Sequence, residues 1–444
     1  MNTIIKRMLP LAVSVSLLAP TLAACTKTSG GDNSNEERVL RIATSFSYGE
    51  NGEYFRQQFT EIFEYEYPNI TLEFISMENT NYWGTMPAEE QEDPLDKMIR
   101  VMQEPNPPDV VVVNYDQLPR LIDENLLAPL DPLIAKDKFD TSNIVPSVID
   151  GIRGLSSDGN LYALAPYFMS AALAYNKDIF DQAGAPYPTD GMTWDEVFDL
   201  ARRVAKPGDN PIYGFSFSSY NYASIYDVSS PYTDPLQLKM FDDNVERMLV
   251  NNDQWERVWN TLIQLENEQI TPPSPDVTGN WEMPYDSKSP FSYNYFMSGR
   301  VAMSIMYYSD LYQIDNANRN AQNIEGYTPI NYDVVTVPSH PEYPGQSSLI
   351  NFDGIMAINA LAGNAEDAWR FISFINGEDW ARAKAKNNYQ LMSRKNYNKV
   401  NELINMDAFY NIKPIERRQT AKTDELYRTK PRIWEVYDIG RREF

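Results

Sequence analysis

One cysteine, Cys25, and one histidine, His340, are all that these 444 residues hold of the two side chains most used in nucleophilic and metal chemistry. Disulfides are thereby excluded, a thiolate-ligated metal is not expected, and most Ser-His or Cys-His schemes and any multi-histidine metal site go with them. His340 sits in a proline-rich loop, "VPSHPEYPG". Basic charge is scarce as well: 38 Lys and Arg face 62 Asp and Glu, a formal charge of −24. That balance opposes binding to nucleic acid or to an anionic membrane surface; it reads first as solubility and second as steering of cationic ligands. No apolar run approaches the roughly 20 residues that span a bilayer. No G-x-S-x-G, H-E-x-x-H, Walker or G-x-G-x-x-G pattern occurs, nor a D-x-[DN]-x-[DN]-G calcium loop, so neither a metal nor a cofactor is expected.

What is present begins with Lys6 and Arg7, an apolar run from Leu9 to Leu18, and small residues at Ala23–Ala24. This is the pattern of an export signal over residues 1–24. Leu22-Ala23-Ala24-Cys25 resembles the bacterial lipobox, in which cleavage precedes the cysteine and its sulfur is acylated. The resemblance makes Cys25 an anchor, each buried CH₂ of an acyl chain contributing about 0.8 kcal/mol. The plainer alternative is a secretory signal with an incidental cysteine. Residues 25–37 continue as "CTKTSGGDNSNEE", too polar to repay the entropy of ordering, and read as a tether.

The body exceeds what one core usually supports, so two lobes are expected. "RVLRIATSF" is β-rich. After the turn "SYGENG", Phe55, Phe59, Ile62 and Phe63 make one helical stripe that Pro68 stops. "NITLEFISM" is a second strand, and strand–helix–strand favours a parallel sheet. Asp93 caps a helix with Pro94 at its first position and a stripe of Leu95, Met98, Ile99 and Met102. Val110 to Val113 are unalternating β-branched residues, as in a strand covered on both faces. That strand ends at Asn114-Tyr115-Asp116, and the first ends at Phe46 to Glu50. Ligands of open α/β sheets bind beyond such carboxyl ends. Thr193-Trp194-Asp195-Glu196 predicts a capping box at the start of a later helix.

The runs "PPDVVVVNYDQL…LLAPLD", "LYALAPYFMSAALAYNKDIFDQAG", "MTWDEVFDLA", "FMSGRVAMSIM" and "AWRFISFING", in this order between about Val39 and Gly377, resemble extracellular solute-binding proteins of ABC importers, in the group that includes maltodextrin- and oligosaccharide-binding members. The resemblance implies an α/β, two-lobed, periplasmic-binding-protein-like fold of type II, with the ligand cleft between lobes joined by crossover hinge segments. It places crossings near Pro166 to Ala171, near Asn351 to Gly354 and near residue 389. The first lobe is then 38–166 plus 352–388, and the second 167–351 plus 389–444. It also implies a monomer on the extracellular face of a bacterial cell membrane, delivering its ligand to an ABC permease without a cofactor.

A neutral sugar offers hydroxyls to carboxylates and amides, and flat C–H faces to aromatic rings. Among 29 tyrosines and 8 tryptophans, Tyr48, Tyr115, Tyr167, Tyr307 and Tyr308 lie where the fold argument puts the cleft. Tyr220 and Tyr222, with Tyr226, are spaced for neither one strand face nor one helix stripe. Trp281 lies in an aperiodic Pro/Gly-rich stretch, Pro272 to Pro290, that departs from the family pattern and reads as a lid or an insertion. Asp116 aligns with the family position whose carboxylate accepts sugar hydroxyls; Glu50 and Asp353 sit in expected inter-lobe loops. Any of these is alternatively a core ring or an ordinary loop acid.

Two other classes remain open on the residues alone. A glycosidase needs only two carboxylates at a set separation, and 62 acids do not exclude such a pair. A surface sensor presenting ligand to a receptor keeps the same cleft and changes the partner. Peptides and polyols are ligands of the same fold, and the saccharide and its length are likewise open.

Overall fold

The computed structural model describes residues 36–44, 52–77, 92–220, 229–239, 242, 246–273, 291–385, 390–398 and 404–415. The signal, residues 25–35 of the tether with Cys25, Tyr48, Glu50, Tyr222, Tyr226, residues 274–290 of the Pro272–Pro290 stretch with Trp281, and the crossing near residue 389 lie outside the described residues. The strands are β1 (Arg38–Thr44), β2 (Ile70–Ser76), β3 (Val110–Val113), β4 (Ala163–Leu164), β5 (Tyr167–Met169), β6 (Ala171–Asn176), β7 (Tyr213–Ser216), β8 (Val301–Tyr307), β9 (Tyr332–Val335), β10 (Gln346–Ser347), β11 (Asn351–Asp353), β12 (Ile355–Ile358), β13 (Leu391–Met392) and β14 (Lys413–Pro414).

Two α/β lobes are built on separate sheets. The first sheet runs β2-β1-β3-β12-β4. β1 is parallel to β2 and β3, as the strand–helix–strand order predicts, whereas β12 enters antiparallel to both β3 and β4. The helical run between β1 and β2 buries Phe55, Phe59 and Phe63, the stripe read from the sequence, and includes a π-helical turn at Arg56–Thr60. Asp93 Oδ1 accepts the N–H groups of Leu95 and Asp96 at 2.9 and 3.1 Å, with Pro94 opening the helix Pro94–Met102. Val110–Val113 is buried along its whole length between β1 and β12.

The second sheet runs β7-β8-β6-β9, with β7 parallel to β8 and β6 antiparallel to both β8 and β9. Its helix Trp194–Val204 starts in the expected capping box: Glu196 N–H donates to Thr193 Oγ1 at 3.3 Å, and Thr193 N–H to Glu196 Oε2 at 2.8 Å.

Between the sheets lies a third, β11-β5-β13, antiparallel throughout. Ala165 and Pro166 separate β4 of the first sheet from β5, and Ser170 alone separates β5 from β6 of the second. Gly354 alone separates β11 from β12. Gly354 has φ +65°, and a Cβ there would stand 2.6 Å from Phe59 Cε1, so no other residue fits without displacing that ring. Among the described residues no helix is long and apolar enough to cross a membrane.

Candidate functional site

The candidate side chains stand at the carboxyl ends of strands in both lobes and along the small sheet between them. In the first lobe β3 runs into a single 3₁₀ turn, Tyr115–Gln117, closed by Gln117 Oε1 accepting Asn114 N–H at 3.0 Å. Asp116 is exposed on this turn. Tyr115 is half-buried and packed edge-on against Phe352 with centroids 5.1 Å apart, and its hydroxyl donates to Gly151 O at 2.9 Å. Asp353, on β11, accepts from Gln390 Nε2 at 2.9 Å.

In the second lobe, parallel strands β7 and β8 end on the same side of their sheet. Tyr307, the last residue of β8, is 41% exposed. The helix Tyr308–Arg319 follows directly, and Asp310 in its first turn accepts the Tyr307 N–H through Oδ2 at 2.9 Å. Tyr220, just beyond β7, directs its hydroxyl toward Asp310 Oδ1 and Gln313 Oε1, both at 3.4 Å. Its ring lies nearly parallel to that of Tyr293, 7° between planes and 6.3 Å between centroids. Burial pushes the Asp310 carboxyl above its usual range, against the hydrogen bonds from Tyr307 N–H and Tyr220, which act to lower it.

Two expected cleft rings are turned inward instead. Tyr167 is 3% exposed, because β5 is the central strand of the small sheet and its ring enters a cluster with Trp380 and Phe59, at 5.3 and 5.9 Å. Burial, with the charge of Asp353 adding to it, pushes the Tyr167 phenol well up. Tyr308 is 8% exposed and packs edge-on against Phe409 at 6.2 Å, since the first helical residue after β8 faces the opposite way from the last strand residue.

The sequence reading missed Asp310, Gln313 and Tyr293, and also Met169, which is 43% exposed beside the hinge. An acid three residues after the last strand residue Tyr307 was the available signal for Asp310. Two cavities, of about 400 and about 290 Å³, lie elsewhere, and none of the candidate residues lines either. Among the described residues no cluster of three or more His, Cys, Asp or Glu is arranged to hold a metal ion.

Comparison with known proteins agrees with this architecture. A putative binding protein of Brucella abortus (strain 2308) is 22% identical over 383 residues, covering 83% of this chain and 82% of the relative. A mannitol-binding protein of Pseudomonas aeruginosa is 27% identical over 158 residues, covering 36% of this chain and 32% of the relative. Among solved structures, Mycobacterium tuberculosis UspC superposes with a TM-score of 0.54 at 17% identity, covering 86% of this chain and 90% of that one. A sugar transporter from Rhizobium etli in an open conformation gives 0.51 at 18% identity, covering 88% of each chain. The fold is thus the two-lobed α/β arrangement of type II periplasmic solute-binding proteins. With the family model for bacterial extracellular solute-binding proteins matching residues 47–382, which take in strands β2 to β12, the chain belongs to that family.

Proposed function

We propose that this protein is a lipid-anchored extracellular solute-binding protein that captures a saccharide or polyol by closing its two lobes and hands it, chemically unchanged, to an ABC permease. The observation that carries the reading is the pairing of hydroxyl-accepting and ring-bearing groups at strand ends of both lobes, on either side of a small antiparallel sheet. Asp116 and Asp353 face the ligand from the first lobe and the hinge. Tyr307, Tyr220 and Tyr293 supply rings from the second, with Asp310 and Gln313 as acceptors. Tyr48, Glu50, Tyr222 and Trp281 belong to the same site by sequence position.

Ligand that touches both lobes favours the closed form, and the shift is bounded by its differential affinity for the two forms. The hinge lies at β5, β11 and β13. The lobes accordingly divide as 38–166 plus 352–388 and 167–351 plus 389–444, and Cys25 holds the assembly, as a monomer, at the outer surface of the cell membrane.

A thermal-shift screen of residues 26–444 against mono- and oligosaccharides tests the proposal, with mannitol included because a relative is a mannitol-binding protein. A true ligand at a hundredfold excess over Kd adds roughly 2.7 kcal/mol of apparent stability. The appearance of new reducing ends during incubation with oligosaccharides would replace the binding reading with a hydrolytic one.

A further inference from the structure

The cavity of about 400 Å³ lies in the first lobe, where the helix Ala365–Ile375 gives way to Glu378–Lys384, and it is walled by Tyr67, Phe139, Trp369 and Phe374. That volume falls in the range of small-molecule sites. Arg394, two residues beyond β13 in the segment assigned above to the second lobe, packs here against first-lobe residues and lines the cavity with only 4% of its side chain exposed. The guanidinium is fixed from several sides. Its Nε donates to Asn376 O at 2.8 Å and its Nη1 to Asp140 O at 2.7 Å, and its plane lies over the Phe139 ring at 5.0 Å. The nearest carboxylate oxygen, Glu378 Oε1, is 3.5 Å from Nη1. Nη2 donates to no acceptor among the described residues.

The guanidinium thus holds two backbone carbonyls and one long carboxylate contact, while Nη2 is not among the buried polar atoms left without a partner and stays open to solvent. Burial disfavours its charged form, and Glu378 and Asp140 oppose that effect only in part. The acids around the cavity are already occupied as acceptors. Asp137 takes the Trp369 indole N–H at 2.8 Å, Asp140 the Ser142 N–H at 2.8 Å, and Glu378 the Asn143 amide and the Tyr397 hydroxyl at 2.6 and 2.7 Å. Arg370 is held by Asp367. Lys138 lines the same cavity, is exposed, and makes no ion pair among the described residues. The donors open beside the aromatic walls are therefore Arg394 Nη2 and the exposed Lys138 ammonium.

We infer that this cavity is a second binding site, separate from the inter-lobe cleft, for a small organic carboxylate with an apolar or aromatic body. The carboxylate sits against Arg394 Nη2 and Lys138 Nζ, and the body lies on the aromatic wall. Arg suits planar recognition of a carboxylate better than an ammonium does.

Calorimetric titration of the full chain with sodium benzoate, with benzamide as the uncharged control, tests it. Benzoate is expected to bind and benzamide not, and Arg394→Lys is expected to weaken benzoate by about tenfold or more. Arg394 also supports backbone carbonyls, so Lys138→Asn serves as the variant with no packing role; Asn tolerates the left-handed backbone at that position, where φ is 54°. It too is expected to weaken benzoate severalfold. Absence of benzoate binding, equal binding of benzamide, or wild-type affinity in Lys138→Asn overturns the proposal. None of these results depends on whether the cleft takes a sugar.

Discussion

The Tyr220 hydroxyl and the Asp310 carboxylate meet at 3.4 Å across the ends of two different elements, the strand β7 and the helix that follows β8. Neither side chain is near the other in sequence, yet together they join an aromatic ring to a half-buried acceptor at the strand ends of the second lobe. Asp310→Asn is expected to weaken ligand binding by about 1–3 kcal/mol, the usual loss for a hydrogen bond to a charged partner. Burial raises the native carboxyl above its ordinary value of 3.8. The stability this group contributes is therefore fully present below that value and lost as pH rises through the native one. Denaturant midpoints compared between wild type and Asp310→Asn across acidic pH should show a smaller fall in the variant; parallel profiles would remove the buried-charge account.

Asp116 is exposed and its side chain makes no hydrogen bond or ion pair among the described residues, so its replacement should leave folding intact. Asp116→Ala is expected to weaken saccharide binding by about 1–3 kcal/mol with little change in thermal midpoint. Unchanged affinity by calorimetry would take Asp116 out of the site.

At Gly354 a methyl group would meet Phe59 at 2.6 Å on a backbone of φ +65°. Gly354→Ala should destabilise the protein by about 1–3 kcal/mol, read as a lower denaturant midpoint. Because the position joins β11 to β12, the ligand-dependent change in small-angle scattering should shrink as well.

Asp158 accepts Asn160 N–H at 2.9 Å, the Asn160 side-chain amide at 2.8 Å and the Tyr162 hydroxyl at 2.8 Å, which lower its pKa from 3.8 to about 2. A depressed carboxyl contributes stability that is present above its unfolded value and lost as pH falls through the native one. Asp158→Asn should therefore flatten the stability profile between about pH 4 and pH 2. A wild-type slope there would mean that the turn titrates without affecting folding.

Cys25→Ser should release the protein from the membrane fraction while leaving its ligand affinity unchanged. Continued sedimentation with membranes would rule out the lipid anchor.

Local chemistry was readable in the sequence wherever it depended on neighbours a few residues away. Asp93 with Pro94 and Thr193 with Glu196 form the caps their spacing predicts, and four consecutive valines lie buried at the centre of a sheet. What the sequence did not disclose depended on contacts from distant segments. In Tyr167-Phe168-Met169 three apolar residues carry no alternation, so nothing local says that Met169 is the exposed one. That outcome comes from Phe59 and Trp380, which supply the pocket for Tyr167. Asp310 escaped notice for a related reason: a single acid among 62 stands out only once Tyr220 is brought to it.

Ser170 on one crossing and Gly354 on another are the whole length of chain between the small sheet and the lobe it feeds. Linkers that short leave almost no slack, so the lobes have few torsions about which to swing and little room to slide or drift apart. On the proposed function, a grip constrained in this way would repeat the same trajectory each time, and a downstream membrane machine would tell a loaded molecule from an empty one by its outline alone.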